Sequence, residues 1–139
     1  MKAMRAVYEK CFSEAELPKV VKEIQELAPH IRRWLLYGPM GVGKTTLIRS
    51  WVGEEAASPT FTYIHEYSHA VHVDLYRFST SSQSRWMDLY ALFERAPLIF
   101  IEWAEKLPDP PPEPWGEIHL SYGDEECRCL KLFIRDTKS

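Results

Sequence analysis

The chain has 139 residues, 45% of them hydrophobic and 27% charged, with a formal net charge of −3, which suits one globular domain over residues 1–139 and argues against non-specific nucleic-acid binding as its main task. No apolar run approaches the ~20 residues of a membrane span, and the start MKAMRAVYEKCFSEAE lacks a signal-peptide core, so a cytoplasmic protein without a membrane role is expected. The three cysteines, Cys11, Cys127 and Cys129, are odd in number and show no framework of spacings, which suits a reducing compartment.

Met4, Ala6 and Tyr8 alternate loosely and predict an edge strand from Lys2 to Tyr8. Ser13 and Glu16 form a capping-box pattern ahead of Leu17, Val20, Val21, Ile24 and Leu27, which share one helical face; Pro18 is tolerable only near that helix start. Trp34 to Tyr37 reads as a buried strand stopped by Gly38. A short helix over Thr45 to Trp51 follows, then a loop from Glu54 to Thr60 and a hairpin made of Thr62 to Tyr67 and Val71 to Leu75. Beyond the polar connector Ser79 to Ser84, Trp86, Leu89, Tyr90 and Phe93 lie on one helical face that reads as core. Leu98 to Trp103 is a central buried strand by composition, and Pro108 to Pro114 an extended connector bordered by Trp103 and Trp115. Ile118, Leu120 and Tyr122 alternate, Gly123-Asp124 turns, and Leu130, Leu132 and Ile134 alternate back, predicting a C-terminal antiparallel hairpin.

The sharpest motif is Gly38-Pro39-Met40-Gly41-Val42-Gly43-Lys44-Thr45, a phosphate-binding loop with its last glycine, lysine and hydroxyl in place between a strand and a helix. Its glycines let the backbone amides turn into an anion nest, and the helix N-terminus, from Thr46 on, adds partial positive charge. Lys44 supplies a full charge near the β- and γ-phosphates, and the Thr45 hydroxyl is placed to ligate magnesium. Phosphoryl transfer also needs an acidic residue at a strand end. Asp74, after Val71-His72-Val73, and Glu102, after Leu98 to Ile101, both qualify as catalytic or metal-holding groups, and the sequence does not choose between them.

His65-Glu66-x-x-His69 has the spacing of a zinc-protease helix, but tyrosine, isoleucine, valine and threonine surround it. In an extended chain the two histidines stand about 13 Å apart, too far to share an ion, so no zinc is expected. Cys127-x-Cys129 has no partner pair and reads as ordinary strand residues on one face. Arg32 and Arg33 read as a solvated connector or a small basic patch.

Joined in order, the P-loop, Ser58-Pro-Thr-Phe-Thr62, Glu66-Tyr67, His72-Val-Asp74-Leu-Tyr-Arg77 and Ile101-Glu102-Trp103 resemble the TsaE (YjeE) family, small bacterial ATPases of tRNA threonylcarbamoyladenosine biosynthesis. The resemblance implies an α/β, P-loop NTPase-like three-layer fold whose parallel core strands are flanked by antiparallel strands. It implies ATP and magnesium as cofactors, with Thr60 in a switch-like loop near the γ-phosphate and magnesium, Asp74 holding the metal or its waters, and Glu102 polarising the attacking water or the metal shell. Trp103 would lie beside the nucleotide. The implied partners are the TsaD and TsaB proteins, with tRNA met only through that complex, ATP hydrolysis resetting it, and the chain a monomer when alone.

Departures from the family pattern are a short span between Thr46 and Ser58 and Pro39-Met40 in place of an acidic-leucine pair. Arg77 is a candidate arginine finger, with a structural ion pair as the alternative. Two other functions fit a P-loop of this size. A small kinase would transfer phosphate to an acceptor, and a nucleotide-sensing adaptor would bind ATP with little turnover.

Overall fold

The computed structural model describes residues 6–53, 58–61, 63–76 and 78–136. Strands β1 (Ala6–Phe12), β2 (Arg33–Tyr37), β3 (Ser58–Phe61), β4 (Ile64–Glu66), β5 (Val71–Asp74), β6 (Ile99–Glu102), β7 (Trp115–Tyr122) and β8 (Arg128–Arg135) form one sheet in the order β1-β8-β7-β2-β6-β5-β4-β3. Its four middle strands, β7, β2, β6 and β5, run parallel, and antiparallel pairs flank them on both sides. Helices α1 (Leu17–Leu27) and α2 (Lys44–Val52) cover one face and α3 (Gln83–Arg95) the other, giving the expected three layers.

The pleat sorts the side chains between those layers. Along β2, Trp34 and Leu36 pack with Val20, Ile24, Leu47 and Phe100 beneath α1 and α2, while Leu35 joins Val73, Leu89, Phe93 and Ile101 beneath α3. A strand buried on both faces is apolar over most of its length, which is why Trp34 to Leu36 of β2 and Ile99 to Ile101 of β6 read as continuous hydrophobic runs, with the buried charges Arg33 and Glu102 at strand ends. The start of α1 is held as its pattern suggests: the Glu16 carboxylate accepts from the Ser13 N–H at 2.9 Å, and Pro18 sits in the first turn, where its missing N–H costs little.

Gly116 is fixed by close approach rather than by a turn. A Cβ there would stand 2.2 Å from Cζ3 of the fully buried Trp34. Gly116→Ala is therefore expected to cost about 2–3 kcal/mol and to lower the melting temperature by roughly 5–10 °C. An unchanged melting curve would show that Trp34 can repack.

Four expectations need correction. The first strand runs Ala6–Phe12, beyond the expected end at Tyr8, because antiparallel pairing with β8 carries it on to Phe12↔Arg128; the part of that expectation before Ala6 lies outside the described residues. Ser58 to Thr60 is edge strand rather than loop, and Pro59 is accommodated because an outermost strand can spare an N–H. Arg33 is buried, not solvated, and its Nε donates to the Phe93 carbonyl at 2.9 Å, tying β2 to α3. Finally, Cys11 and Cys129 face each other in the β1–β8 register and form a disulfide across a sequence separation of 118, a distance no local spacing reveals. Cys127 precedes β8 in the turn and keeps a free thiol.

Candidate functional site

The carboxyl ends of the four parallel strands meet along one sheet edge, where an α/β fold places its ligand crevice. The phosphate-binding loop leaves β2 there and enters α2. Gly38, Gly41 and Gly43 all have positive φ, at 153°, 80° and 110°, and a side chain at Gly43, the residue that caps α2, would be strained. The C-terminal hairpin pins this loop from outside: Tyr122 Oη donates to the Met40 carbonyl at 3.0 Å and Arg128 Nε to the Val42 carbonyl at 3.1 Å. Met40 is exposed at the crest of the loop and Val42 is buried beneath it.

Lys44 is only 6% exposed; its Nζ donates to the Gly38 carbonyl at 2.6 Å and stands 4.2 Å from the Trp103 ring centroid. Trp103 takes a left-handed conformation with φ 60°, which is unusual for a bulky residue and sets its ring against both Lys44 and Tyr76. Thr45 Oγ1 donates to Glu102 Oε2 at 3.0 Å, and His72 Nε2 meets the same oxygen at 2.5 Å. Burial alone would raise the Glu102 carboxyl, but the His72 hydrogen bond and charge, the Thr45 hydroxyl and Lys44 together hold it below the ordinary glutamate value. It is thus an anion at neutral pH inside the fold. Asp74, opposite Glu102 on the next strand, is half-buried and accepts from the Tyr76 N–H at 3.0 Å.

These groups line a cleft of about 280 Å³ that Gly43, Lys44, Thr45, Asp74, Glu102 and Trp103 share. A second cleft of about 160 Å³ opens on the other side of the α2 N-terminus, between Gly43, Thr46, Phe12, Leu17 and Arg128. Thr45, Glu102 and Asp74 offer hard oxygen donors, and no group of three or more His, Cys, Asp or Glu gathers as a metal cage among the described residues. That donor set fits magnesium, which takes one or two carboxylates together with phosphate oxygens and water.

Other sequence candidates fall elsewhere. Thr60 is described by its backbone, in edge strand β3; Thr62 and Arg77 lie outside the described residues. His65 sits in β4 and His69 in the turn after it, so the pentad is not helical. Trp103 stands over Lys44 at the phosphate-binding loop, while Trp115 is buried and donates to Glu117 at 3.0 Å. His72 was the overlooked member. Its signal was the alternation before Asp74, since residues two apart on a strand share a face.

No curated protein matches the sequence. The crystal structure of Bacillus subtilis YdiB superposes with a TM-score of 0.72 at 19% identity, covering 99% of this chain and 91% of that one, which shows a shared fold. The family described as "Threonylcarbamoyl adenosine biosynthesis protein TsaE" matches residues 11–130, from the last turns of β1 to the middle of β8 and across every residue of the cleft. The chain belongs to the TsaE family, a membership that implies nucleotide binding and a role in threonylcarbamoyladenosine modification of tRNA.

Proposed function

We propose that this protein is a magnesium-dependent ATP hydrolase that works with TsaD and TsaB, its hydrolysis resetting their complex. The supporting observation is convergence: a buried lysine, the hydroxyl next to it in sequence and an ionised carboxylate from a strand 57 residues further on meet at the mouth of a glycine-rich loop. The loop amides and the α2 N-terminus bind the phosphates, and Lys44 balances the charge that builds on the γ-phosphoryl oxygens. Thr45 and Glu102 hold the magnesium shell, and Asp74 orients its waters. Magnesium held there would supply charge neutralisation for the triphosphate. Glu102 accepts a hydrogen bond from the attacking water, whose oxygen bonds to the γ-phosphorus as the bond to the ADP oxygen breaks; the water's proton ends on the released phosphate. Thr60 acts beside the γ-phosphate, Trp103 flanks the nucleotide, and the nucleoside occupies the second cleft, next to Thr46. The chain works as a single cytoplasmic domain, monomeric alone, and meets tRNA only through its partners.

The test is phosphate release from ATP with magnesium, by this protein alone and with the TsaB–TsaD pair from the same source. A slow rate, raised by the pair by roughly tenfold or more, is expected of a partner-coupled ATPase whose intrinsic turnover is low. Tight ATP binding with no release in either condition would replace the hydrolase by an adaptor, and transfer to an added acceptor would make it a kinase.

A further inference from the structure

We infer that His72 is a positioning residue for Glu102, holding one oxygen of its carboxylate so that the other faces the cleft. The inference rests on the ATPase reading of that cleft. Glu102 is 4% exposed and His72 3%, so neither can rely on water for its hydrogen bonds. Two donors converge on Glu102 Oε2, the Thr45 hydroxyl at 3.0 Å and His72 Nε2 at 2.5 Å. Both contacts fall on Oε2, so Oε1 is the oxygen left for groups that enter the cleft.

The ring is well placed to act as a clamp. His72 lies on β5 with Phe100 of β6 as its register partner, two residues before Glu102, so its side chain reaches diagonally to the carboxylate. On its other side His65, the partner of His72 across the β4–β5 pair, lies tilted against the ring with a centroid separation of 5.3 Å and an interplanar angle of 32°. A carboxylate held only by the Thr45 hydroxyl would keep the freedom to turn about its last bond. The hydroxyl is also the group a cation competes for, whereas His72 does not line the cleft. His72 thus fixes the plane of Glu102 whether or not a nucleotide is bound.

Two substitutions separate positioning from mere packing. His72→Phe fills the space without a donor, and His72→Gln restores an N–H at nearly the same reach. With the full-length protein and the TsaB–TsaD pair, His72→Phe is expected to lose about 10–100-fold in kcat with ATP affinity nearly unchanged, and His72→Gln to recover most of that loss. Nitrogen-15 spectra of the histidine-labelled protein should show a proton on His72 Nε2, a readout that needs no turnover. Equal kcat in His72→Phe and the unmodified protein, equal losses in both variants at similar melting temperatures, or an Nδ1–H tautomer would overturn the inference. If the unmodified protein binds ATP without hydrolysing it, the ATPase reading falls, and magnesium decides the remainder. Loss of the magnesium-dependent part of ATP affinity in His72→Phe but not in His72→Gln upholds the clamp, and the same loss in both refutes it.

Discussion

Lys44→Ala is expected to lower the partner-stimulated rate of ATP hydrolysis by about 10³-fold, the scale set by removing a preorganised donor from a developing negative charge. The fold holds the ammonium group between the Gly38 carbonyl and the Trp103 ring, nearly out of solvent. A charge placed in advance needs little rearrangement when substrate arrives, and little bulk water screens it. Alanine removes that charge and leaves a water-filled gap at the loop mouth. The fold should survive, because Leu47 and Ile48 still bury α2 against the sheet. Phosphate release measured beside a melting curve separates the two effects. Hydrolysis within about tenfold of the unmodified protein would mean that some other group balances the γ-phosphate, and the functional reading would have to be abandoned.

The second large effect ranks the two carboxylates. Glu102→Gln keeps the shape of the side chain, and its amide oxygen can still accept from Thr45 and His72. It removes the negative charge, however, and turns a donor towards the cleft where an acceptor stood. A loss of about 10²-fold in kcat is expected, with more magnesium required for half-maximal rate. Asp74→Asn should cost less, about tenfold, since Asp74 is half-buried, lies one strand further from the loop, and already serves the Tyr76 N–H. Titrating magnesium against both variants checks the order. If Asp74→Asn proves the more damaging, the inner metal position belongs to β5 and Glu102 acts on water alone.

What the residues disclosed before the fold was known has a physical boundary. Spacing within a short segment carried the phosphate-binding loop, because the chemistry there is local: backbone amides, one lysine and one hydroxyl in sequence. Alternation carried the C-terminal hairpin, and uninterrupted apolar runs carried β2 and β6. Strand direction and neighbours decided the rest. That Glu102, not Asp74, reaches Thr45 follows from β6 lying beside β2, with β5 one place further out. The grip of Tyr122 and Arg128 on Met40 and Val42 spans more than half the chain and has no local signature. Arg33 was misjudged because a charged residue at a strand start usually faces water; here its guanidinium finds the Phe93 carbonyl across the core. The loop from Glu54 to Thr60 was drawn too long, since β3 takes in Ser58 to Thr60 at the outermost place in the sheet, where Pro59 needs no N–H to give.

The Cys11–Cys129 bond turns a linear polymer into a closed loop with two short tails. Every residue of the nucleotide cleft lies on the loop, and only the tails can leave without breaking a covalent bond. A single backbone cut between the two cysteines, for instance in the segment after α2, opens that ring without producing two molecules. The nicked protein remains one covalent object, two chains joined by the Cys11–Cys129 bridge with two further ends at the cut, and under denaturing conditions separates into fragments only when a thiol reductant opens that bridge.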